Sequence, residues 1–181
     1  MSSRPAAARK PSPLLRSTAY RVFYFLPKRV RRQLVRVFTP TYTVGAVMLL
    51  YSNDGERLLM LRQPPGKGWG LPAGLLERAE RPKTAAAREL HEETGIRLGP
   101  DDIAPASPCA VVHTQGQWVD TVFTARVDPE ECQLAVDGAE VWDARWWPVE
   151  EMPETTPAAA RLLAHYGLGP FADLPEAARA D

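Results

Sequence analysis

Residues 70–96 read GLPAGLLERAERPKTAAARELHEETGI. The first half behaves as loop, because Gly70, Pro72 and Gly74 interrupt any regular period. From Pro82 the composition turns helical, and Gly95 stands where a left-handed cap ends a helix. The spacing predicts a helix over residues 82–94. Glu89, Glu92 and Glu93 recur at offsets of three and four, so that helix brings them close together. Carboxylates this close repel one another, and a hard divalent cation relieves the repulsion through oxygen ligands. The same cation would neutralise diphosphate oxygens and acidify a bound water. Gly70 and Gly74 allow backbone to approach a metal or ligand, and the Arg88 guanidinium can pair with a carboxylate and tie the loop to the helix. Taken alone, the three glutamates fit a solvated acidic helix equally well. The glycine-bearing loop ahead of them favours a site.

On the N-terminal side, residues 43–51 (TVGAVMLLY) read as a buried strand. Asn53-Asp54-Gly55 reads as a turn and residues 58–62 as the returning strand of a hairpin. A Pro/Gly-rich loop spans residues 64–72. On the C-terminal side, residues 110–113 and 118–126 look like strands around Gln115-Gly116. Residues 140–149 (EVWDARWWPV) look like a further strand, and residues 156–166 like a closing helix. Mixed strands with a few helices imply a layered α/β domain.

The segment from Gly74 to Ile96 resembles the Nudix box, GX5EX7REUXEEXGU with U aliphatic. Gly74 opens it, Glu80 follows, then Arg88-Glu89-Leu90, Glu92-Glu93 and Gly95-Ile96, so every specified position is filled. The hairpin before the box and the strands after it extend the resemblance over roughly residues 42–166. It implies an α/β/α sandwich with a mixed sheet. It also implies hydrolysis, by activated water, of a diphosphate bond in a nucleoside diphosphate linked to another group, a nucleotide-like small-molecule substrate. The implied cofactor is Mg²⁺, with Mn²⁺ as the alternative.

Carried over residue by residue, the resemblance makes Glu92 and Glu93 the principal metal ligands. Glu89 is a third ligand or the proton acceptor, Glu80 supports the site or meets a second metal, and the Gly74 carbonyl approaches the metal. Arg88 braces the loop through Glu80 or a neighbouring carboxylate, and completes a catalytic set with Glu89, Glu92 and Glu93. Arg62, ending the second strand, would face a substrate phosphate. The candidate for a further acidic ligand from a later strand or loop is Glu140, with Asp143 second; a surface acid flanking a strand accounts for it equally well. Two positions depart from the family pattern. Ala73 and Ala79 stand where many members carry glycine, which restricts the loop's dihedral choices without removing a ligand. Arg81 ahead of Pro82 is also a weak helix cap.

Beyond the box, Trp69, His113 and Trp118 are candidates to line a substrate entrance; ordinary packing or exposure accounts for each as well. Trp142, Trp146 and Trp147 could stack on a base, although strand aromatics more often fill a core. Cys109 reads as a small buried hydrophobe. With Cys132 it makes no disulfide framework, in keeping with a reducing, cytoplasmic compartment. A non-hydrolytic nucleotide- or metabolite-binding protein on the same fold is the alternative function, against which stand the intact box carboxylates. An isopentenyl-diphosphate isomerase-like reading fails, because that family needs a cysteine before the box and both cysteines follow it.

Charge is unevenly spread. Ten of the 22 cations precede Asp54, the first carboxylate of the chain, leaving 12 cations against all 22 carboxylates in the remainder. Residues 1–13 read as a flexible tail, 14–40 as a basic helical extension, 41–168 as the hydrolase domain and 169–181 as a C-terminal tail. In the extension, Leu15, Ala19, Val22, Phe23 and Leu26, then Val30, Leu34, Val37 and Phe38, fall at helical spacing around Pro27. An apolar stripe needs a surface to bury it, so the expectation is docking on the catalytic domain or across a homodimer. Peripheral membrane contact is the rival. Nucleic-acid binding is disfavoured, since an electrostatic tail needs no such stripe. No apolar run reaches membrane-spanning length, and no secretory signal is legible.

Overall fold

The computed structural model describes residues 13–113 and 116–173. Nearly all of the tail expected over residues 1–13, Gln115 of the expected turn, and much of the tail expected over 169–181 lie outside the described residues. The chain divides into two units, Met1–Thr41 and Tyr42–Asp181.

The first unit holds helix α1, Pro13–Phe25, and helix α2, Lys28–Phe38. Pro27 separates them: it has extended backbone (φ −54°, ψ 145°), and its carbonyl accepts the Arg31 N–H at 3.1 Å to open α2. Thr39 ends α2 by donating both its N–H (2.9 Å) and its hydroxyl (2.6 Å) to the Val35 carbonyl. No residue of α2 is buried. The side chains of Leu15 and Ala19 lie outside the described part of α1. No described helix is long and apolar enough to cross a membrane.

The second unit is built on a six-stranded sheet. Its strands are β1 (Thr43–Ser52), β2 (Arg57–Arg62), β3 (Ala73–Leu75), β4 (Ala104–His113), β5 (Trp118–Val127) and β6 (Asp143–Pro148). The order is β4-β5-β1-β2-β6, with β3 also beside β1. Strands β1 and β5 run parallel, in register from Thr43↔Trp118 to Ser52↔Val127; the other pairs are antiparallel. Helix α3 spans Pro82–Thr94 and helix α4 spans Pro157–Ala164.

The continuous apolar run of β1 follows from burial on both faces. Ala46, Met48 and Leu50 pack with Ala85, Ala86 and Leu90 of α3, while Val47 and Leu49 pack with Leu162 and Leu163 of α4. Fully burying a Leu or Met side chain contributes roughly 1.5–3 kcal/mol each. The result is an α/β/α sandwich with a mixed sheet.

Local signals set the element ends. Gly55 (φ 82°) turns β1 into β2, and Asp54 Oδ1 accepts the Glu56 N–H at 2.9 Å. Arg81 precedes α3 without a side-chain cap, and Gly95 closes it in the left-handed region at φ 79°. Thr156 caps α4, its hydroxyl accepting the Ala159 N–H at 3.2 Å. Three features depart from the sequence expectations. Strand β3 follows directly on the Pro/Gly-rich loop and pairs Ala73 with Val47. Strand β4 begins six residues earlier than expected, at Ala104, and its pairing with β5 is irregular between Pro105 and Ala110, where Pro105 and Pro108 lack N–H donors. Cys109 is exposed rather than buried, because it lies in that irregular stretch of an edge strand.

Candidate active site

Arg88, on α3, is the centre of the carboxylate cluster. Its Nε and Nη2 donate to the two oxygens of Glu80 at 3.0 and 3.1 Å, a fork-to-fork pair. Nη1 donates to Glu89 at 2.8 Å and Glu92 at 3.0 Å, and Nη2 also donates to the Leu75 carbonyl at 3.0 Å. One guanidinium therefore ties the end of β3 and the following loop to the helix. Glu80, above all, raises the pKa of Arg88, and Arg88 holds the Glu80 carboxyl below the usual range. Glu92 is 56% exposed, so its pair with Arg88 is the weak member.

Glu93, one turn on from Glu89, has different partners. Its carboxylate is buried and accepts the Ala73 N–H at 3.0 Å and the Gln63 Nε2–H at 2.7 Å. Burial, aided by the nearby Glu89 and Glu140 charges, pushes its pKa up to about 8 against those two bonds. The site is tight at Gly74, where an added Cβ would overlap the Glu89 carboxylate. Glycine serves there by close approach.

On the α4 side of the sheet lies a cleft of about 470 Å³. Gln63 and Ala73 line it, so Glu93 stands directly behind its wall. His113, Trp118 and Asp120 line it too, with Leu162 and Arg161 from α4. Asp120 joins the first two: its Oδ2 lies 3.0 Å from His113 Nε2, and its Oδ1 accepts the Trp118 indole N–H. Gly45 of β1 makes room for them, since a Cβ there would sit 3.1 Å from both Asp120 Oδ1 and the Trp118 ring.

Arg88, Glu80, Glu89, Gly74 and Glu92 thus form one contact network, Glu93 links it to the cleft, and His113 and Trp118 meet at the cleft. Arg62 and Trp69 do not line it. Arg62 is exposed and donates to the Gly66 carbonyl at 3.3 and 3.4 Å. Trp69 packs edge-on against Trp147, centroids 5.2 Å apart, with the Arg145 guanidinium over its ring. Trp146 packs, partly buried, on the α3 side of the sheet and Trp147 on the α4 side. Glu140 is exposed in the loop before β6, near enough for its charge to act on Glu93. Asp143 pairs with Arg145 at 2.7 Å. Gln63, Asp120 and Arg161 escaped the sequence reading. Alternation along β5 places Trp118 and Asp120 on one face and could have found Asp120; nothing local marks the other two.

The candidate donors around Gly74 are all hard oxygens, and Glu93 adds a buried carboxyl group held by the Ala73 N–H and the Gln63 amide. This donor chemistry fits a divalent cation such as Mg²⁺. Among the described residues, no three acidic, histidine or cysteine side chains stand at ligand spacing. Arg88 engages Glu89 and Glu92, while Ala73 and Gln63 engage Glu93.

A carboxylate-bearing helix on one face of a mixed sheet, braced by an arginine to a glycine loop, defines a Nudix-type α/β/α protein. The NUDIX domain profile matches residues 41–166, and the chain belongs to that family. It is 42% identical over 64 residues to a MutT-like protein of Streptomyces ambofaciens, covering 35% of this chain and 41% of that one. It is 30% identical over 140 residues to the CMP-5'-(N-acetyl-N-hydroxy-3-aminopropyl)phosphonate hydrolase of Streptomyces rubellomurinus, covering 69% and 65%. The chain therefore spans less than two thirds of either relative. Among solved structures, the NUDIX domain of Shewanella oneidensis NrtR complexed with ADP ribose shares the fold. Its TM-score is 0.59 at 20% identity, over 78% of this chain and 97% of that one.

Proposed function

We propose that this chain is a metal-dependent pyrophosphohydrolase that cleaves a diphosphate bond in a nucleoside-diphosphate-like substrate. The observation that carries the reading is the position of Glu93. It is a buried carboxylate on the box helix, hydrogen-bonded to two residues that line the cleft. Glu92, Glu93 and the Gly74 carbonyl would hold Mg²⁺ or Mn²⁺, with Glu80 and Glu140 in support and Glu89 kept as the proton acceptor. When bound, the cation supplies charge neutralisation for the diphosphate and an acidified water.

The chain's own residues do the rest. Glu89 takes the proton of the attacking water at a carboxylate oxygen. A new phosphorus–oxygen bond forms to that water, the bridging phosphorus–oxygen bond breaks, and its electron pair leaves with the departing phosphate group. Arg88 keeps Glu89 oriented and holds the loop against the helix. In the cleft, Trp118, Val47, Leu71 and Leu162 offer apolar surface to a nucleoside, and Arg161 offers a cation to an anionic substituent. His113 and Asp120 fix the Trp118 edge. The two unpaired cysteines accord with a cytoplasmic enzyme.

The test is a hydrolysis screen of the full chain with Mg²⁺ or Mn²⁺ in ¹⁸O-water. Substrates are nucleoside triphosphates, dinucleoside polyphosphates, ADP-ribose and nucleotide sugars, with CMP-linked phosphonates added in view of the relative named above. Metal-stimulated turnover with label in a phosphate product supports the reading. Absence of metal-stimulated turnover across the panel, or label on carbon alone, counts against it.

A further inference from the structure

Helices α1 and α2 present two features together. All the charge on residues 1–53 is positive, with Lys28, Arg29, Arg31, Arg32 and Arg36 concentrated on α2. Large apolar side chains stand beside these cations in the open: Phe25 is 90% exposed, Phe38 80% and Val37 73%, with Tyr20, Tyr24 and Val22 also exposed. At 100° per residue, Val30, Leu34, Val37 and Phe38 fall within an arc of roughly 100° on α2, while Lys28, Arg29, Arg32 and Arg36 take the other side. A depression of about 590 Å³ on this unit is lined by Phe23, Val35, Arg29, Arg31, Arg32 and Arg36.

We propose that these two helices form a peripheral docking surface for anionic lipid. The cations call for an anionic partner. The exposed phenylalanines and valines call for one that also takes up apolar side chains. A bilayer with acidic headgroups offers both: phosphates meet the guanidinium groups while Phe25, Val37 and Phe38 enter the acyl boundary. The arginine stems lie along that boundary with their heads in water. A nucleic acid would satisfy the charge and leave the apolar side chains in water. A symmetric contact between two copies of this region would bring cation against cation, with no carboxylate to relieve it.

The test sediments the full chain with vesicles of phosphatidylcholine alone or of phosphatidylcholine with phosphatidylglycerol. Binding is expected only to the anionic vesicles. It should weaken as salt rises from ~0.1 to ~1 M, because the screening length shortens from about 10 to 3 Å. In the triple variant Arg29→Gln, Arg32→Gln, Arg36→Gln, each lost charge should lower partitioning roughly fivefold. The double variant Phe25→Ser, Phe38→Ser should also lower it at unchanged charge, with the thermal transition of the catalytic unit preserved. No sedimentation of the wild-type chain with either vesicle overturns the proposal. So does retention of a nucleic-acid oligomer, to equal extent by wild type and the Phe variant, together with unchanged vesicle binding in that variant.

Discussion

Gln63 and Glu93 stand 30 residues apart in the chain and meet through a 2.7 Å hydrogen bond. Gln63 follows β2, Glu93 lies in the last turn of α3, and the Ala73 N–H of β3 binds the other carboxylate oxygen at 3.0 Å. Three elements thus converge on one buried acid. Two hydrogen bonds offset only part of its desolvation, so the folded protein holds the proton up to a pH of about 8.

That shift sets a pH dependence. The folded pKa of about 8 lies above the ordinary 4.5, so the folded state binds the proton more tightly than the unfolded chain. The stabilising contribution is complete below the unfolded value and is lost as pH rises through the folded one. Metal-free protein should therefore lose on the order of a few kcal/mol between those limits. Apparent Mg²⁺ affinity should rise over the same window, because binding requires the carboxylate. Chemical denaturation and calorimetry across pH, with and without Mg²⁺, measure both. A metal affinity flat through this window would refute Glu93 as the titrating ligand.

Glu93→Gln should keep the fold. The new amide oxygen can accept the Ala73 N–H, and a rotated Gln63 amide can accept from the new NH₂ group. Turnover should fall ten- to a thousandfold, roughly the loss seen when one electrostatic catalytic interaction is removed. The pH slope of metal-free stability should flatten. Near-wild-type turnover at saturating Mg²⁺ would remove Glu93 from the site.

Gly74→Ala should cost about 1–3 kcal/mol of stability, because its methyl group overlaps the Glu89 carboxylate. It should also lower kcat/KM by displacing Glu89 from Arg88. Adding Glu89→Ala should recover much of the stability and none of the activity, a non-additivity that a double-mutant cycle reads directly. Additive losses of stability would show that the collision is not the cause.

Ala79 occupies the left-handed region at φ 65° on an exposed loop. An L-residue there carries a steric cost of roughly 1–2 kcal/mol, which glycine avoids at the expense of some chain entropy. Ala79→Gly should stabilise the protein by about 0.5–1 kcal/mol and raise Tm by about 2 °C. A lowered Tm would mean that the loop relaxes around the alanine without strain.

Features governed by neighbours along the chain were legible in the residues alone. Pro82 and Gly95 bound α3 at the expected ends, because a proline at the first turn and a left-handed glycine act within one turn of helix. The offsets of three and four likewise put Glu89, Glu92 and Glu93 on one helix, and the apolar run of β1 marked a buried strand, while the α/β/α layering came from the resemblance of the box. Most features made by distant segments were not legible. Periodicity indicates that a face is buried without saying against which partner, so the parallel register of β1 with β5, the short β3 and the joining of His113 to Trp118 through Asp120 emerge only when the sheet assembles. Arg62 and Trp69 show the same dependence: nothing in the residues alone says that Arg62 reaches the Gly66 carbonyl or that Trp69 packs edge-on against Trp147. The split between the glutamates is tertiary as well. Glu92 and Glu93 are adjacent in sequence, yet one remains largely in water while the other is buried between Gln63 and Ala73, because successive helical residues point about 100° apart and the sheet covers only one of those directions.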